Sequence, residues 1–233
     1  MPTSNLLLAS LSRADADGLF PILRKTELPQ QTILYDAEQS IQDVYFPTTA
    51  VVSLVVTLSQ GEMVEAAMVG NDGVVGGLAA LDGRVSFSRA IVQLGGMGFT
   101  CDASALKRLA MQSETLHSLL IRHEQAVYAQ AQQSAACIAN HQVEARLSRW
   151  MLRARDLSGS DNLPFTQEFL GEMLGVQRSS VSLVAHTLQQ AGLIKYARGK
   201  IQITDPDGLE QSACECYGTI REHYRKLLDR KSL

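Results

Sequence analysis

The stretch from Thr166 to His186, TQEFLGEMLGVQRSSVSLVAH, decides how this chain folds. Apolar residues recur at helical spacing on both sides of Gly175, so we predict two short helices joined by a tight bend. The Thr166 hydroxyl can cap the first helix, and Gly175 can adopt the positive φ that the bend needs. Gly171 lies inside the first helix, where glycine costs about 1 kcal/mol relative to alanine, so we predict a close crossing of the two helices there.

The second helix, predicted over about residues 178–190 with Gly192 as its stop, has two different faces. Val181 and Val184 face back onto the first helix. The other face carries an arginine among mostly short polar side chains: Gln177, Arg178, Ser179, Ser180, Ser182, Leu183 and His186. Arginine can form a bidentate contact with guanine, and serine and helix N–H groups can hold phosphates. We therefore predict that bases are read by Arg178, Ser179, Ser182 and Leu183, and that phosphates are contacted by Gln177, Ser180 and His186. The pattern is typical of a helix-turn-helix that enters the DNA major groove; a helical hairpin with a solvated outer face is the alternative.

A β-hairpin is predicted directly after this motif. The alternating runs Leu193–Tyr196 and Ile201–Thr204 flank a glycine turn. Arg198 and Lys200 lie at its tip, where they could contact a phosphate backbone. Helix-turn-helix and hairpin together predict a winged helix.

Charge is divided unevenly along the 233 residues. The formal net charge is −3, but residues 1–140 carry −5 and residues 141–233 carry +2. The small basic excess coincides with the winged helix, so specificity must also come from groove contacts. We find no targeting segment, and the longest apolar run, Ala50–Leu58, is far too short to span a membrane. We therefore predict a cytoplasmic protein without membrane contact.

The first hundred residues predict a different architecture. Residues 1–25 are typical of one or two short amphipathic helices. Between about residues 26 and 100, short strand-like runs are separated by glycine and proline turns, which favours an antiparallel jelly roll. These runs are Leu28–Tyr35, Val44–Phe46, Val51–Leu58, Glu62–Val69 and Ala90–Leu94.

Helical periodicity begins after Thr100. A short helix starts at Asp102 or Ser104, and a long helix without Pro or Gly runs from about Ser113 to Asn140. One stripe of the long helix steps by four and three, as in a coiled-coil seam. The stripe predicts a dimer contact through Leu116, Leu120, His123, Val127, Gln130 and Ser134. The alternative is a helix packed on its own barrel.

A further helix is predicted over His141–Leu157. Its apolar residues Leu147, Trp150, Met151 and Ala154 are expected to face inward, and Arg146, Arg149 and Arg153 outward. The fold class is thus α+β, divided into a barrel domain (1–112), a dimerisation helix (113–140) and a winged-helix domain (141–233).

The four cysteines match no disulfide framework and no CxxC metal pair. Cys214 and Cys216 would point to different faces of a helix. We predict free thiols and no metal site.

Barrel, long helix and winged helix in this order resemble the Crp/Fnr family of bacterial transcription regulators. The resemblance covers nearly the whole chain, is strongest over Phe165–Thr204, and is clear in Tyr45–Ser53 and Met68–Gly76. It implies that Arg178 takes the place of the arginine that reads guanine. Ser179 stands where many members have a base-reading glutamate, and Leu183 where the catabolite activator has a second arginine. By the same resemblance Thr166, Gln177 and Ser180 match positions that hold phosphates, and RNA polymerase is implied as a partner.

The barrel departs from the family members that bind cyclic nucleotides. These carry Gly-Glu-Leu, then Arg-Ser or Arg-Thr; this chain has Gly76-Gly77-Leu78, without the carboxylate, and at best Ser88-Arg89-Ala90. No cysteine precedes Cys101, as an N-terminal iron–sulfur centre would need. We therefore predict a degenerate effector pocket at Gly76, Gly77, Leu78, Arg89 and Ala90, with a cyclic nucleotide doubtful, the effector unknown and no cofactor evident.

The function predicted is a homodimeric, sequence-specific regulator of transcription that binds an inverted-repeat duplex. It is not predicted to be an enzyme, because a cupin-like metal centre needs histidines inside the barrel. All five lie outside it: His117, His123, His141, His186 and His223. A ligand-sensing module that acts through a protein partner remains the alternative.

Overall fold

The computed structural model describes residues 4–83 and 85–228. They form the predicted α+β fold of antiparallel jelly roll, long helix and C-terminal winged helix. Residues 1–3, 84 and 229–233 lie outside the described part, and with them the first residues of the predicted N-terminal helices. Among the helices of the described part, none combines the length and apolarity needed to cross a membrane.

Two short helices, α1 (Leu6–Ala9) and α2 (Arg13–Leu19), precede the barrel, as predicted. Asn5 caps α1 and is fully buried. Its side-chain amide donates 2.8 Å hydrogen bonds to the carbonyls of Pro47 and Gly73. These bonds attach the N-terminal segment to the barrel.

The barrel is built from two antiparallel sheets. In chain order the strands are β1 (Arg24–Leu28), β2 (Ile33–Tyr35), β3 (Asp43–Pro47), β4 (Val51–Thr57), β5 (Met63–Val69), β6 (Arg89–Leu94) and β7 (Gly96–Asp102). One sheet has the order β1-β7-β3 and the other β2-β6-β4-β5. Buried side chains such as Phe46 and Val92 fill the space between them.

The barrel differs from the prediction at two places. The run Leu28–Tyr35 is divided between two strands, with Gln31 in the left-handed region at φ 69°. Strand β7 was missed because its glycines interrupt the apolar pattern. These glycines allow close strand packing: a Cβ on Gly96 would lie 2.5 Å from the nitrogen of Ala50, and one on Gly98 would lie 3.0 Å from the Phe46 carbonyl.

Three helices follow the barrel: α3 (Ala103–Gln112), α4 (Glu114–Asn140) and α5 (Val143–Ser158). The Ser113 hydroxyl caps α4 by accepting from a backbone N–H 3.2 Å away, and His141 follows its last turn. Helix α4 occupies all but the first residue of the segment 113–140 that the sequence predicts as one long helix. One side of α4 packs on β5, and another contacts the C-terminal helix.

The arginines of α5 are buried, which contradicts the prediction that they face outward. Arg146, Arg149 and Arg153 are each only 5–6% exposed. Arg146 donates a hydrogen bond to the carbonyl of Leu174, and Arg153 forms an ion pair of 2.6 Å with Asp72. Helix α5 lies between the barrel and the winged helix, so all its sides contact protein and its cations need buried partners.

The C-terminal part is the predicted winged helix. Its elements are β8 (Asn162–Leu163), α6 (Gln167–Leu174), α7 (Arg178–Gln190), β9 (Ile194–Ala197), β10 (Lys200–Ile203), α8 (Pro206–Ser212) and α9 (Cys216–Leu228). The short strand β8, which was not predicted, pairs with β10 and gives the wing a third strand. Trp150 anchors the domain, with its ring 4.8 Å from that of Phe165 in a T-shaped contact. The same core continues into the barrel through Val55 and Met68.

Candidate nucleic-acid interface

The bend between α6 and α7 has the predicted geometry. The Thr166 hydroxyl accepts from the Phe169 N–H at 3.2 Å and caps α6. Gly175 ends that helix at φ +61°, a conformation that glycine adopts without the steric cost of a Cβ. The Val176 N–H then donates to the Gly171 carbonyl at 2.9 Å, which fixes the corner.

Gly171 is needed because the backbone passes close by it. A Cβ at this position would lie 2.9 Å from the Val176 carbonyl and 3.4 Å from the Arg178 nitrogen. This close approach sets the angle at which α7 leaves α6. Val181 is fully buried and Val184 half-buried in the core below, as predicted.

Most predicted base-reading residues lie on the solvent face of α7. Arg178 and Ser179 are exposed in its first turn, and Leu183 is 69% exposed one turn later. Ser182 differs, because its hydroxyl lies 2.5 Å from the Gln167 side-chain oxygen and is half-buried. Ser182 therefore links the two helices, and an exposed surface centred on Arg178 remains for the groove.

The predicted phosphate-binding residues surround this surface. Gln177 occupies the N-cap position of α7, and its exposed side chain makes no capping bond. Arg198 and Lys200 are exposed at the wing tip, and a Cβ on Gly199 would lie 3.4 Å from the Thr166 methyl. The wing tip thus lies beside the start of α6. His186 is exposed and Ser180 half-buried on α7.

A cleft that the sequence did not predict separates the motif from the barrel. The hairpin between β4 and β5 lies against α6, and a Cβ on Gly175 would come within 3.1 Å of the Val64 side chain. Arg178 lies at the rim of the cleft, which also carries the carboxylates of Glu62, Glu168 and Glu172. The first turn of α7 therefore shares this cleft with two carboxylates of α6 and one of the barrel hairpin.

The predicted effector residues lie on two elements, a short 3-10 helix over Gly77–Leu81 with Gly76 before it, and strand β6. Gly76 has φ +83°, and a Cβ on Gly77 would lie 2.7 Å from a carboxylate oxygen of Glu124 on α4. Arg89 is paired with Asp36 through hydrogen bonds of 3.0 and 2.8 Å. This pairing raises the pKa of Arg89 and lowers that of Asp36. Leu78 is 48% exposed, and Ala90 is fully buried.

The stripe of α4 predicted for a dimer contacts the chain itself. Leu116, Leu120, His123, Gln130 and Ser134 are each at most 5% exposed, and Val127 is half-buried. Leu116 and Leu120 belong to the barrel core. The N–H of Val74 donates to Nε2 of His123 at 3.1 Å, so the His123 proton lies on Nδ1. Farther along the stripe, the Tyr224 hydroxyl of α9 donates to the Gln130 side-chain oxygen at 3.1 Å. The stripe is therefore covered by the chain's own barrel and C-terminal helix, which is close to the alternative interpretation of a helix packed on its own barrel.

Three cysteines and a histidine meet where α4 ends and α9 begins. Cys137, His141, Cys214 and Cys216, called here the Cys3His cluster, place their ligand atoms within 4.8 Å of one another. The prediction that Cys214 and Cys216 diverge is wrong, because Cys214 precedes α9 instead of lying on it. Cys137 and His141 are four residues apart at the end of α4, a spacing that places both on one face of a helix. This signal could not show that Cys214, 77 residues after Cys137, would join them.

The helix-turn-helix matches a known domain family. Residues 145–212 match the model described as the Crp-like helix-turn-helix domain. A comparison with curated protein sequences gives no match.

Solved structures share the fold over most of the chain. FixK2 from Bradyrhizobium japonicum superposes with a TM-score of 0.70 at 16% identity, covering 83% of this chain and 98% of that one. A CRP-family transcriptional regulator from Thermus thermophilus, TTHB099, gives 0.66 at 21% identity, covering 81% and 96%. The c-di-GMP responsive global regulator CLP from Xanthomonas campestris gives 0.66 at 12% identity, covering 82% and 99%. The chain thus shares its fold with these three proteins over more than 80% of its length.

Proposed function

We propose that this chain, a transcription regulator of the Crp/Fnr type with a helix-turn-helix DNA-binding domain, binds an inverted-repeat duplex as a homodimer. The observation that carries the proposal is the exposed face of α7. It presents Arg178, Ser179 and Leu183 together, beside a wing tip with two cations. Arginine in the first turn of a recognition helix can donate two hydrogen bonds to guanine, and leucine can contact a thymine methyl group. Binding to chromosomal DNA implies a cytoplasmic protein.

A second stripe of α4 offers the surface for the dimer. Ile121 and Tyr128 are 47% and 65% exposed, and further exposed residues continue their line at spacings of four and three. The stripe consists of Ile121, Gln125, Tyr128, Gln132 and Ala135. Side chains at this spacing interdigitate in a two-stranded coiled coil. We infer that two copies pair along it, which would present two α7 helices to half-sites roughly 34–36 Å apart.

We infer that the barrel does not hold a cyclic nucleotide in the manner of the family. Gly77 supplies no carboxylate for a ribose hydroxyl, and Glu124 lies where a longer side chain would extend. The Arg89 guanidinium is already neutralised by Asp36. Capturing a phosphate there would require breaking this pair. Contact with RNA polymerase is proposed from the resemblance alone, through the loop at residues 157–163.

Selection from a random duplex pool, with purified protein and no added ligand, tests the proposal. We expect enrichment of an inverted repeat whose half-sites are about one helical turn apart, with guanine at one fixed position in each. Enrichment of a single half-site would contradict the dimer. Absence of binding to any duplex at low salt would contradict DNA recognition and favour action through a protein partner.

A further inference from the structure

The Cys3His cluster has the donors and the dimensions of a metal site. Sγ of Cys137 lies 3.5 Å from Sγ of Cys214, and Sγ of Cys216 lies 3.5 Å from Nδ1 of His141. A zinc ion with bonds of about 2.3 Å to sulfur and about 2.0 Å to nitrogen holds its ligand atoms about 3.5–3.8 Å apart. Two edges of that tetrahedron are therefore already present. The remaining edges, at most 4.8 Å, need a contraction of about 1 Å or less.

Neighbouring residues orient the four donor atoms in the way that is usual around a metal ion. Nε2 of His141 lies 3.2 Å from a carboxylate oxygen of Glu215, which favours a proton on Nε2 and turns the Nδ1 lone pair toward the sulfurs. A carboxylate on the far nitrogen is the usual support of a metal-bound imidazole. The amide of Gln133 donates to Sγ of Cys216 at 3.0 Å. Cys137 and Cys216 are fully buried and Cys214 is 8% exposed.

Two buried arginines of α5 act on the cluster. The guanidinium of Arg149 interacts electrostatically with Cys137. Arg146 lies in the field of the same sulfurs. Three thiolates around a divalent cation carry a net charge of −1, which these two arginines can balance.

We propose that the Cys3His cluster binds one Zn²⁺ in a closed, four-coordinate structural site. Three sulfurs and one imidazole form a common donor set of structural zinc. An iron–sulfur cluster fits less well, because its iron atoms lie between the cysteines and separate their sulfurs more than a single ion does.

The ion would connect the end of the long helix to the start of the C-terminal helix. Cys137 and His141 belong to the end of α4, and the other two ligands precede and begin α9. Arg146, beside the cluster, donates to the carbonyl of Leu174 at the end of α6. Zinc would therefore fix the C-terminal helix to the long helix, next to the arginine that contacts the end of α6.

Metal analysis of the untagged full chain is the first test. We expect about one zinc per chain, lost in Cys137→Ser and Cys216→Ser. Cys101→Ser is the matched control, because Cys101 is a buried thiol of the barrel outside the cluster; it should keep the metal. Equal zinc content in all four proteins would overturn the proposal, as would a metal-free wild type that takes up no added ion.

Two measurements on the wild-type protein do not depend on whether the cysteine variants fold. Co²⁺ added to chelator-treated protein should give the visible absorption of tetrahedral thiolate coordination, and removal of zinc should lower Tm by about 10 °C. Glu215→Gln, at an exposed positioning residue, should weaken Zn²⁺ affinity by about 10–100-fold in competition with a chelating dye, while the circular dichroism spectrum stays unchanged. A Cys137–Cys214 disulfide in the unreduced protein, without metal, would show that the cluster is a thiol pair and would overturn the proposal.

Discussion

Arg178 and Lys200 provide opposite tests of DNA recognition by single residues. Arg178 is exposed on the first turn of α7, whereas Lys200 is exposed at the wing. We expect Arg178→Ala to weaken specific binding by about 1–3 kcal/mol and to relax one base position, because a guanine contact is lost. Lys200→Ala should instead weaken binding to all DNA sequences alike and reduce the slope of log affinity against log salt concentration by about one. Fluorescence anisotropy on specific and scrambled duplexes at several salt concentrations measures both. Unchanged specific affinity in Arg178→Ala would contradict the assignment of α7.

Glu65 makes stability depend on pH. Burial raises the pKa of its carboxyl group to about 7, although the hydroxyl of Ser53, the guanidinium of Arg149 and the amide of Gln93 each lower it. The folded state therefore favours the protonated form. This contribution is complete below the ordinary pKa near 4.5 and is lost as pH rises through about 7, for a total of about 3 kcal/mol.

Glu65→Gln should remove this pH dependence, since glutamine imitates the protonated carboxyl group. Urea unfolding at pH 5 and pH 8 should find the variant close to wild type at pH 5 and more stable at pH 8. Glu62→Gln, at an exposed carboxylate of the neighbouring hairpin, should keep the wild-type profile. A Glu65→Gln protein that loses as much stability from pH 5 to pH 8 as wild type would contradict this account.

At the level of the element, the crossing of α6 and α7 depends on a glycine that helix propensity disfavours. Gly171→Ala would place a methyl group 2.9 Å from the Val176 carbonyl, so we expect a loss of about 1–3 kcal/mol. Gly218 on α9 has nothing within 4 Å of its would-be Cβ. Gly218→Ala should therefore raise the free energy of unfolding by up to about 1 kcal/mol. Thermal unfolding shows whether each variant is less or more stable than wild type, and a stabilised Gly171→Ala protein would refute the close crossing.

Helix α4 supports a prediction about assembly. Tyr128→Arg would place a charge at the centre of the exposed stripe, and a two-fold interface repeats the change in both copies. We expect the free energy of dimer association to weaken by about 3 kcal/mol, which raises the dimer dissociation constant about 100-fold or more. Sedimentation equilibrium measures it. Ser104→Arg, at an exposed residue of α3, is the control, and a dimer equally tight in both variants would show that the stripe is not the interface.

Elements that depend on local signals were predictable from sequence, and their orientations were not. The Thr166 cap and the glycine at 175 specify α6, the corner and α7, so these elements were predicted close to their observed bounds. Strand β8 and helix α8 were not predicted. Helix α4 carries two stripes with the same spacing, and periodicity alone could not tell which one the barrel covers. Likewise, Arg153 resembles a surface residue until Asp72 is brought to it from 81 residues away. Partners distant in sequence also explain why the Cys3His cluster was missed.

At the scale of the whole molecule, one buried ion pair joins the barrel to the winged helix. Arg153 and Asp72 meet at 2.6 Å, with side chains only 6% and 11% exposed. The guanidinium also lies 4.7 Å from the centre of the Tyr224 ring on α9. Since the apolar core runs across the same boundary, we expect barrel and winged helix to unfold in a single transition.

Asp72→Asn should therefore cost about 3–5 kcal/mol, because it leaves the Arg153 charge buried without its partner. The double variant Asp72→Asn with Arg153→Met has no uncompensated buried charge and should recover most of the lost stability. Calorimetry distinguishes the outcomes: the single variant should melt earlier, with the winged helix separating from the barrel in a distinct step, whereas wild type and double variant melt in one. If the two substitutions were additive, with no recovery in the double variant, the ion pair would not couple the two parts, and the apolar core alone would account for the single transition.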